Sequence, residues 1–403
     1  MTRLSKLVRW VAVSALTVGV IASPGCKQSA LTEEKAQAKN RWLELRSAMM
    51  LDMAQQQFNT GDLTQAEHSV KNGLSIDPEH PGLHVLAGRI ALERGKLERA
   101  YHLFNAAIEL DPDSPDAYYY QGLVMQRWQR YEGSLAFYEK AYEREPDNPA
   151  YLLAVGEAMV ELNRVDDALA LLESKREYFD QNAGVRAAIG HLYLLKDRPD
   201  KAAEYFHEAS LLEPDNLVIQ EHLAVSLSAS GQYGKSIEVL SKLLKDPEFK
   251  QRDDLKRALY QAYLKTNQPK EARDVLLEVA RSLQGDVTDW IRLGELSYQM
   301  KDLGGALQAA GRVMKLAPER YEGYLLAGMV WQKRGNLNNA LDMFDRAAQA
   351  APTSSEPLIL RGLSLQKSGR HAAAAKAYEE ALRRQPNDTR AAQLLMAVVG
   401  KDG

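Results

Sequence analysis

A 34-residue period in the placement of proline and small residues constrains this chain more than any other feature. Proline cannot continue a helix, so each proline of the series marks the end of one helix and the restart of another. A fixed period of this length is typical of stacked helical repeats, which bury their apolar faces against one another. The prolines that keep the interval are Pro78, Pro112, Pro146, Pro318, Pro352 and Pro386.

Small and large residues recur at fixed positions within ten predicted repeats. Position 8 is glycine in seven of them, position 20 is Ala or Ser, and position 24 is mostly large. A glycine inside a helix costs about 1 kcal/mol relative to Ala, so its recurrence indicates close packing of two helices. We expect the large residue at position 24 to fill the groove between neighbouring repeats. The repeats start near residues 47, 81, 115, 149, 183, 217, 253, 287, 321 and 355.

This pattern closely resembles the tetratricopeptide repeat family. Repeat 8 carries Trp290, Leu293 and Gly294, followed by Ala306 and Pro318. The resemblance covers residue 47 to about residue 401. It implies an all-α fold: a right-handed α-solenoid superhelix of about ten helix-turn-helix units plus a C-terminal capping helix, with the first helices lining a concave groove.

The predicted array occupies residues 32–386, and residues 387–403 form the capping helix and tail. Thr32 followed by acidic residues indicates the start of the first helix. The period is irregular near 175–183 and 245–286, where the closing proline is absent or the repeat is longer. Two alternatives explain this irregularity: sequence drift, or a hinge between an N-terminal and a C-terminal half.

The N-terminus has the layout of a secretory signal over residues 1–25, followed by a short tether at 26–31. Three basic residues precede an apolar run that is shorter than the ~20 residues of a membrane-spanning helix. Cys26, the one cysteine of the chain, follows Gly25 directly. This arrangement resembles the lipobox of bacterial lipoproteins, although Ser23 and Pro24 depart from its pattern. Lipidation of Cys26, an ordinary cleaved signal and an uncleaved anchor are the three alternatives.

Composition and motifs argue against several classes of function. The formal net charge is -3, so the chain has no global attraction for nucleic acid. A single cysteine excludes an intramolecular disulfide. The sequence contains no phosphate-binding loop, nucleophile elbow or metal-ligand spacing. We therefore predict no catalytic residue, no metal and no cofactor, and a protein that is not an enzyme.

The resemblance implies which residues line the groove. Repeat 3 and repeats 9 and 10 offer two apolar patches, and a more polar lining lies between them. Each of these residues can alternatively pack against a neighbouring second helix. The predicted groove residues are Tyr119, Leu123, Gln126, Arg127, Leu325, Met329, Gln332, Ile359, Leu363 and Gln366. The intervening polar residues are Glu157, His191, Glu221, Arg257, Gln261, Glu295 and Tyr298.

These observations favour a protein-interaction scaffold that is lipid-anchored in the bacterial cell envelope. Its partners are expected to be peptide or helix segments of other proteins, bound for assembly or secretion of an envelope complex. The membrane contact would be the lipid on Cys26, facing the periplasm. A self-associating structural protein and an enzyme with an unrecognised site are the alternatives, and the oligomeric state stays open.

Overall fold

The computed structural model describes residues 24–282 and 286–399, with side chains from residue 34 onward. Throughout these ranges the regular structure is α-helical. The chain divides into two compact bodies: the N-terminal body, residues 1–164, and the C-terminal body, residues 165–403. The predicted fold class, an all-α solenoid of helix-turn-helix repeats with a closing helix, is confirmed. The hand of the superhelix stays a prediction.

The N-terminal body contains repeats 1 to 3 and the first helix of repeat 4. Consecutive helices pack as antiparallel pairs, and each pair packs against the next. The helices described here are α1 (Pro24–Asn59), α2 (Leu63–Ile76), α3 (Pro81–Glu93), α4 (Leu97–Leu110), α5 (Pro115–Arg127), α6 (Tyr131–Arg144) and α7 (Pro149–Glu161).

The C-terminal body begins with the second helix of repeat 4 and ends with the closing helix. Its described helices are α8 (Val165–Lys175), α9 (Ala183–Leu195), α10 (Pro199–Leu212), α11 (Leu217–Ala229), α12 (Tyr233–Leu243), α13 (Asp253–Lys265), α14 (Pro269–Arg281), α15 (Val287–Gln299), α16 (Leu303–Leu316), α17 (Tyr321–Lys333), α18 (Leu337–Ala350), α19 (Glu356–Lys367), α20 (His371–Arg384) and α21 (Thr389–Val399).

Helix α1 begins at Pro24, eight residues before the start predicted at Thr32, so the predicted tether at 26–31 is helical. Proline fits the first turn of a helix, where its missing N–H would have no helical partner. The signal predicted over residues 1–25 lies almost wholly outside the described residues, as does the side chain of Cys26. Among the helices that the structure describes, none is both long and apolar enough to cross a bilayer.

The glycine at position 8 makes room for the large side chain at position 24 of the same repeat. A Cβ on Gly122 would lie 2.6 Å from the ring of Tyr138, and one on Gly88 would lie 2.5 Å from Phe104. Both distances are too short for real atoms, so alanine at either position must displace the ring. The ring at position 24 also packs against the next repeat, as expected, since Phe104 stacks on Tyr120 and shares a core cluster with Ala117 and Val124. The contact with the glycine of its own repeat is an addition to that expectation.

The two irregular connections each bury a phenylalanine. Helices α8 and α12 have 11 residues, three fewer than most second helices. Phe179 and Phe249, which lie in the connections that follow, are 7% and 5% exposed. Burial of a Phe side chain stabilises by roughly 1.5–3 kcal/mol, so both connections are packed segments. Whether either connection acts as a hinge stays a prediction.

Candidate protein-binding groove

Four of the predicted groove residues lie together in the N-terminal body. Tyr119, Leu123, Gln126 and Arg127 project from α5 and line one cleft of about 410 Å³, which we call the α5–α7 cleft. Spacings of three and four residues place side chains on one face of a helix, so the first helix of repeat 3 presents them together. The other residues that line the cleft are Tyr131, Tyr138, Ala154, Glu157 and Glu161.

Aromatic packing fixes Tyr119 on the floor of the cleft. Its ring centroid lies 5.5 Å from that of Tyr138 and 5.3 Å from that of Tyr151. The Tyr151 hydroxyl donates a 2.8 Å hydrogen bond to Asp116. Tilted aromatic pairs at such separations stabilise by about 0.5–1.5 kcal/mol beyond area burial. The half-buried Tyr119 ring is therefore held in place before any ligand arrives.

A chain of two hydrogen bonds orients the polar wall of the cleft. The Tyr138 hydroxyl donates to Oε1 of Gln126 at 2.7 Å. Nε2 of Gln126 then donates to Oε1 of Glu157 at 3.0 Å. Because an ionised carboxylate only accepts hydrogen bonds, the amide presents its N–H group to Glu157 and leaves its oxygen to accept from the Tyr138 hydroxyl. The three side chains thus link α5, α6 and α7 across the cleft.

Tyr119 and Tyr138 stay protonated at neutral pH. Burial raises the pKa of Tyr119 above its usual value, and the negative charges of Glu157 and Asp116 raise it further. Burial also raises the pKa of Tyr138 well above the usual value for a phenol. Neutral phenols act as apolar rings with one hydrogen-bonding hydroxyl. This chemistry suits recognition of a ligand, because a nucleophilic tyrosine would need a lowered pKa.

The second predicted patch, on α17 and α19, is only partly accessible. Leu325, Met329 and Leu363 are half-buried. Ile359 is 2% exposed and packs in a core cluster with Leu358, so its predicted place in the groove is wrong. An isoleucine at position 5 has its branched side chain close to the backbone, where it fills the seam with the next helix.

Gln332 at the end of this patch is engaged by its neighbour. Its Nε2 donates a 2.7 Å hydrogen bond to the Ser364 hydroxyl. The two residues line a recess of about 170 Å³, far smaller than the α5–α7 cleft. Gln366 accepts a hydrogen bond from the Tyr378 hydroxyl at 2.9 Å. We call the surface formed by Leu325, Met329, Gln332 and Leu363 the α17–α19 patch.

The intervening polar lining is used partly for internal ion pairs. Glu221 pairs with Arg252 at 2.6 Å. Arg257 pairs at 2.7 Å with Asp289, which is 1% exposed. A buried carboxylate requires such a partner, because an unpaired buried charge is strongly destabilising. Glu221 and Arg257 thus connect successive repeats and are engaged within the protein.

Sequence reasoning missed an apolar surface on α9 and α11. Leu195 and Val225 are 61% and 43% exposed. Beside them His191 and His222 pack edge to face with ring centroids 4.3 Å apart, and burial together with the charge of His222 lowers the pKa of His191. The signal was available only for Leu195, because position 13 of most other repeats is polar or charged, whereas position 9 is also apolar in repeats 3, 9 and 10. Among the described residues no three His, Cys, Asp or Glu side chains come together as a metal site.

Comparisons with known proteins agree with this architecture. Family models described as tetratricopeptide repeats match residues 51–115, 85–149, 129–192, 183–216 and 355–388. No curated protein matches the sequence.

Several solved structures are similar to this chain at low sequence identity. One is the C-terminal part of a repeat-containing protein from Cytophaga hutchinsonii, at 15% identity and a TM-score of 0.48; it covers 60% of this chain and 99% of that one. Pseudomonas aeruginosa pilF is 21% identical with a TM-score of 0.42, covering 51% of this chain and 93% of that one. A repeat protein of Thermus thermophilus is 21% identical with a TM-score of 0.39, covering 45% of this chain and 98% of that one.

Proposed function

Because this chain belongs to the tetratricopeptide repeat family, we propose that it is a non-enzymatic scaffold, lipid-anchored in the bacterial cell envelope, that binds segments of partner proteins in its groove. The fold itself is that of a protein-interaction scaffold. The proposed task is assembly or secretion of an envelope complex. The proposed anchor is a lipid on Cys26, which follows an apolar N-terminal run.

The α5–α7 cleft is the observation that carries this proposal. A recess of about 410 Å³ combines a fixed Tyr119 ring, an apolar Leu123 and an oriented Gln126. An apolar floor with a few fixed polar groups is the usual form of a recognition pocket. Tyrosine is also enriched among residues that dominate binding energy at protein interfaces, because one rigid ring contributes both area and a hydroxyl.

Partner capture with matched variants tests the scaffold function. Intact envelopes are cross-linked and the protein is recovered, with the double variant Tyr119→Ser/Leu123→Ser beside the parent. We expect a specific partner to be lost, since removal of a central anchor costs about 2 kcal/mol or more. The control is Leu211→Ser/Leu316→Ser, which changes leucines 68% and 56% exposed on second helices. A partner that survives the first variant, or is lost with the control alone, contradicts a groove site.

Fractionation tests the lipid anchor separately. In cells supplied with labelled fatty acid, the parent should carry the label and sediment with membranes. Cys26→Ser should abolish both properties, because the thiol is the proposed acylation site. Equal label and equal membrane association in the variant would refute lipidation of Cys26 and leave the groove proposal untouched.

Self-association is a second candidate that one surface favours. Trp42, Leu45, Met49 and Met53 on α1 are 54%, 67%, 65% and 39% exposed. Their spacing of three and four residues aligns them along one face of the helix, where two copies could pair. Sedimentation at several concentrations tests this, with Leu45→Lys/Met49→Lys as the variant. A concentration-independent monomer would eliminate this candidate.

A further inference from the structure

We infer that the α5–α7 cleft receives a basic side chain, lysine or arginine, that adjoins an apolar residue in an extended segment of a partner protein. The inference rests on the proposed function and names the chemistry of the partner at that site. Three features carry it: unpaired carboxylates on one wall, an aromatic floor, and a hydrogen-bond relay that holds one of the carboxylates.

The wall formed by α7 carries negative charge that the protein leaves unpaired. Glu157 and Glu161 lie one helical turn apart, and both are exposed. Like charges at this spacing destabilise an isolated helix by about 0.2–0.5 kcal/mol. Neither carboxylate belongs to an ion pair within the described residues. A cation from a partner would remove this repulsion, and such complementarity is the basis of electrostatic specificity.

The floor of the cleft also favours a cation. Tyr119 is fixed by its aromatic neighbours and lines the cleft. Ammonium and guanidinium groups bind over tyrosine rings with about 0.5–2 kcal/mol, depending on desolvation. Asp116 on α5 is a further exposed carboxylate outside the cleft lining, and it accepts a hydrogen bond from Tyr151, whose ring packs on Tyr119. The cleft-lining residues include two carboxylates, Glu157 and Glu161, and one cation, Arg127.

Glu157 is oriented before binding, unlike an ordinary surface carboxylate. The Tyr138 hydroxyl fixes Gln126, and Gln126 donates to Oε1 of Glu157 at 3.0 Å. A glutamate held in one rotamer loses less side-chain entropy when it pairs with a ligand. The half-buried Leu123 beside it supplies apolar area for the neighbouring residue of the partner segment.

Selection from a phage-displayed library of random peptides tests the inference on the full chain. We expect the enriched sequences to contain Lys or Arg next to Leu, Met or an aromatic residue. Capped synthetic versions of these peptides should bind Glu157→Gln/Glu161→Gln about fivefold more weakly, which corresponds to two exposed ion pairs of about 0.5 kcal/mol each. Arg127→Gln should bind them about twofold more tightly, because it removes a competing cation.

A matched control separates the site from the overall charge. Glu139 and Glu143 lie one turn apart and exposed on α6, so Glu139→Gln/Glu143→Gln removes the same charge outside the cleft. This control should retain parental affinity. Enriched peptides without a basic residue, or equal weakening by both double variants, would overturn the inference while leaving groove binding intact. If Tyr119→Ser also fails to weaken the peptides, the proposed groove site itself is contradicted.

Discussion

The α5–α7 cleft and the α17–α19 patch occupy the same repeat positions, and their chemistry differs. In the cleft, position 5 is the tyrosine Tyr119, and position 6 of the following first helix is the small Ala154. In the patch, the following first helix carries the large Leu360 at position 6 and buries Ile359 at position 5. A small residue on the facing helix leaves a recess, and large aliphatic residues fill it. The difference between Ala154 and Leu360 on the facing helix is one reason why we expect the cleft, and not the patch, to bind.

Charge separates the two surfaces further. The carboxylates of the cleft wall are unpaired, whereas Glu322 near the patch pairs with Arg320 at 2.6 Å. The pair lowers the pKa of Glu322. Its charge is thereby neutralised locally. We expect the cleft to select a basic segment, and the patch at most to add apolar contact.

The largest expected effect on stability comes from replacing the glycine at position 8 with alanine in each of the two regions. Gly122→Ala would press on Tyr138, and Gly328→Ala on Phe344, with Cβ distances of 2.6 and 2.5 Å. Each should lower the free energy of unfolding by about 2 kcal/mol, measured by urea titration. Only Gly122→Ala should also weaken peptide binding, because Tyr138 begins the relay to Glu157.

Gly311→Ala is the control for this comparison. Gly311 lies within α16, and a Cβ added to it would meet no neighbouring atom within 4 Å. Alanine there should stabilise by about 1 kcal/mol through helix propensity alone. If Gly122→Ala stabilised to the same extent, the close approach of α5 and α6 would be wrong.

A smaller effect is expected from removal of one hydroxyl in each region. Tyr138→Phe and Tyr378→Phe delete the same hydrogen bond, to Gln126 and to Gln366 at 2.7 and 2.9 Å. Each should cost about 1 kcal/mol in unfolding free energy. Peptide affinity should fall only for Tyr138→Phe. An equal loss of affinity in both would show that the relay does not orient Glu157.

Alkaline pH should destabilise the folded protein through both Tyr138 and Tyr378, because burial raises the pKa of each hydroxyl. Burial raises the pKa of Tyr378 to about 12, above the value near 10 of an unfolded chain. Because the unfolded state releases its proton first, this stabilisation is complete below pH 10 and is lost as pH rises toward 12. Tyr378→Phe should therefore flatten the decline of the urea midpoint in that range. An unchanged decline would contradict the burial of the hydroxyl.

The fold was predictable because its sequence pattern recurs in ten repeats, whereas the binding site depends on individual side chains in adjacent repeats. Recurrent glycine at position 8 and proline near position 32 predict the helix pairs that the structure contains. The grouping of Tyr119 with Gln126 and Arg127 also followed from helical spacing. Burial of Ile359 and exposure of Val225 did not, because each depends on the size of side chains in the adjacent repeat. The repeat pattern describes what the ten repeats share, whereas binding depends on the residues by which one repeat differs from the others.

The smallest expected effect lies in the turn between the two helices of each repeat. Gln129 in the turn after α5 has φ of +58°, and Gly335 in the turn after α17 has φ of +79°. The left-handed conformation strains any residue with a Cβ by about 1 kcal/mol, and glycine avoids this strain at a cost in the entropy of the unfolded chain. Gln129→Gly should thus stabilise by about 0.5 kcal/mol, and Gly335→Ala should destabilise by a similar or slightly larger amount. Paired urea titrations measure both, and peptide affinity should stay unchanged because neither side chain lines the α5–α7 cleft. If both substitutions changed stability in the same direction, the two turns would not share one backbone conformation. The shape of the α5–α7 cleft would then depend on the turn after α5 as well as on Ala154.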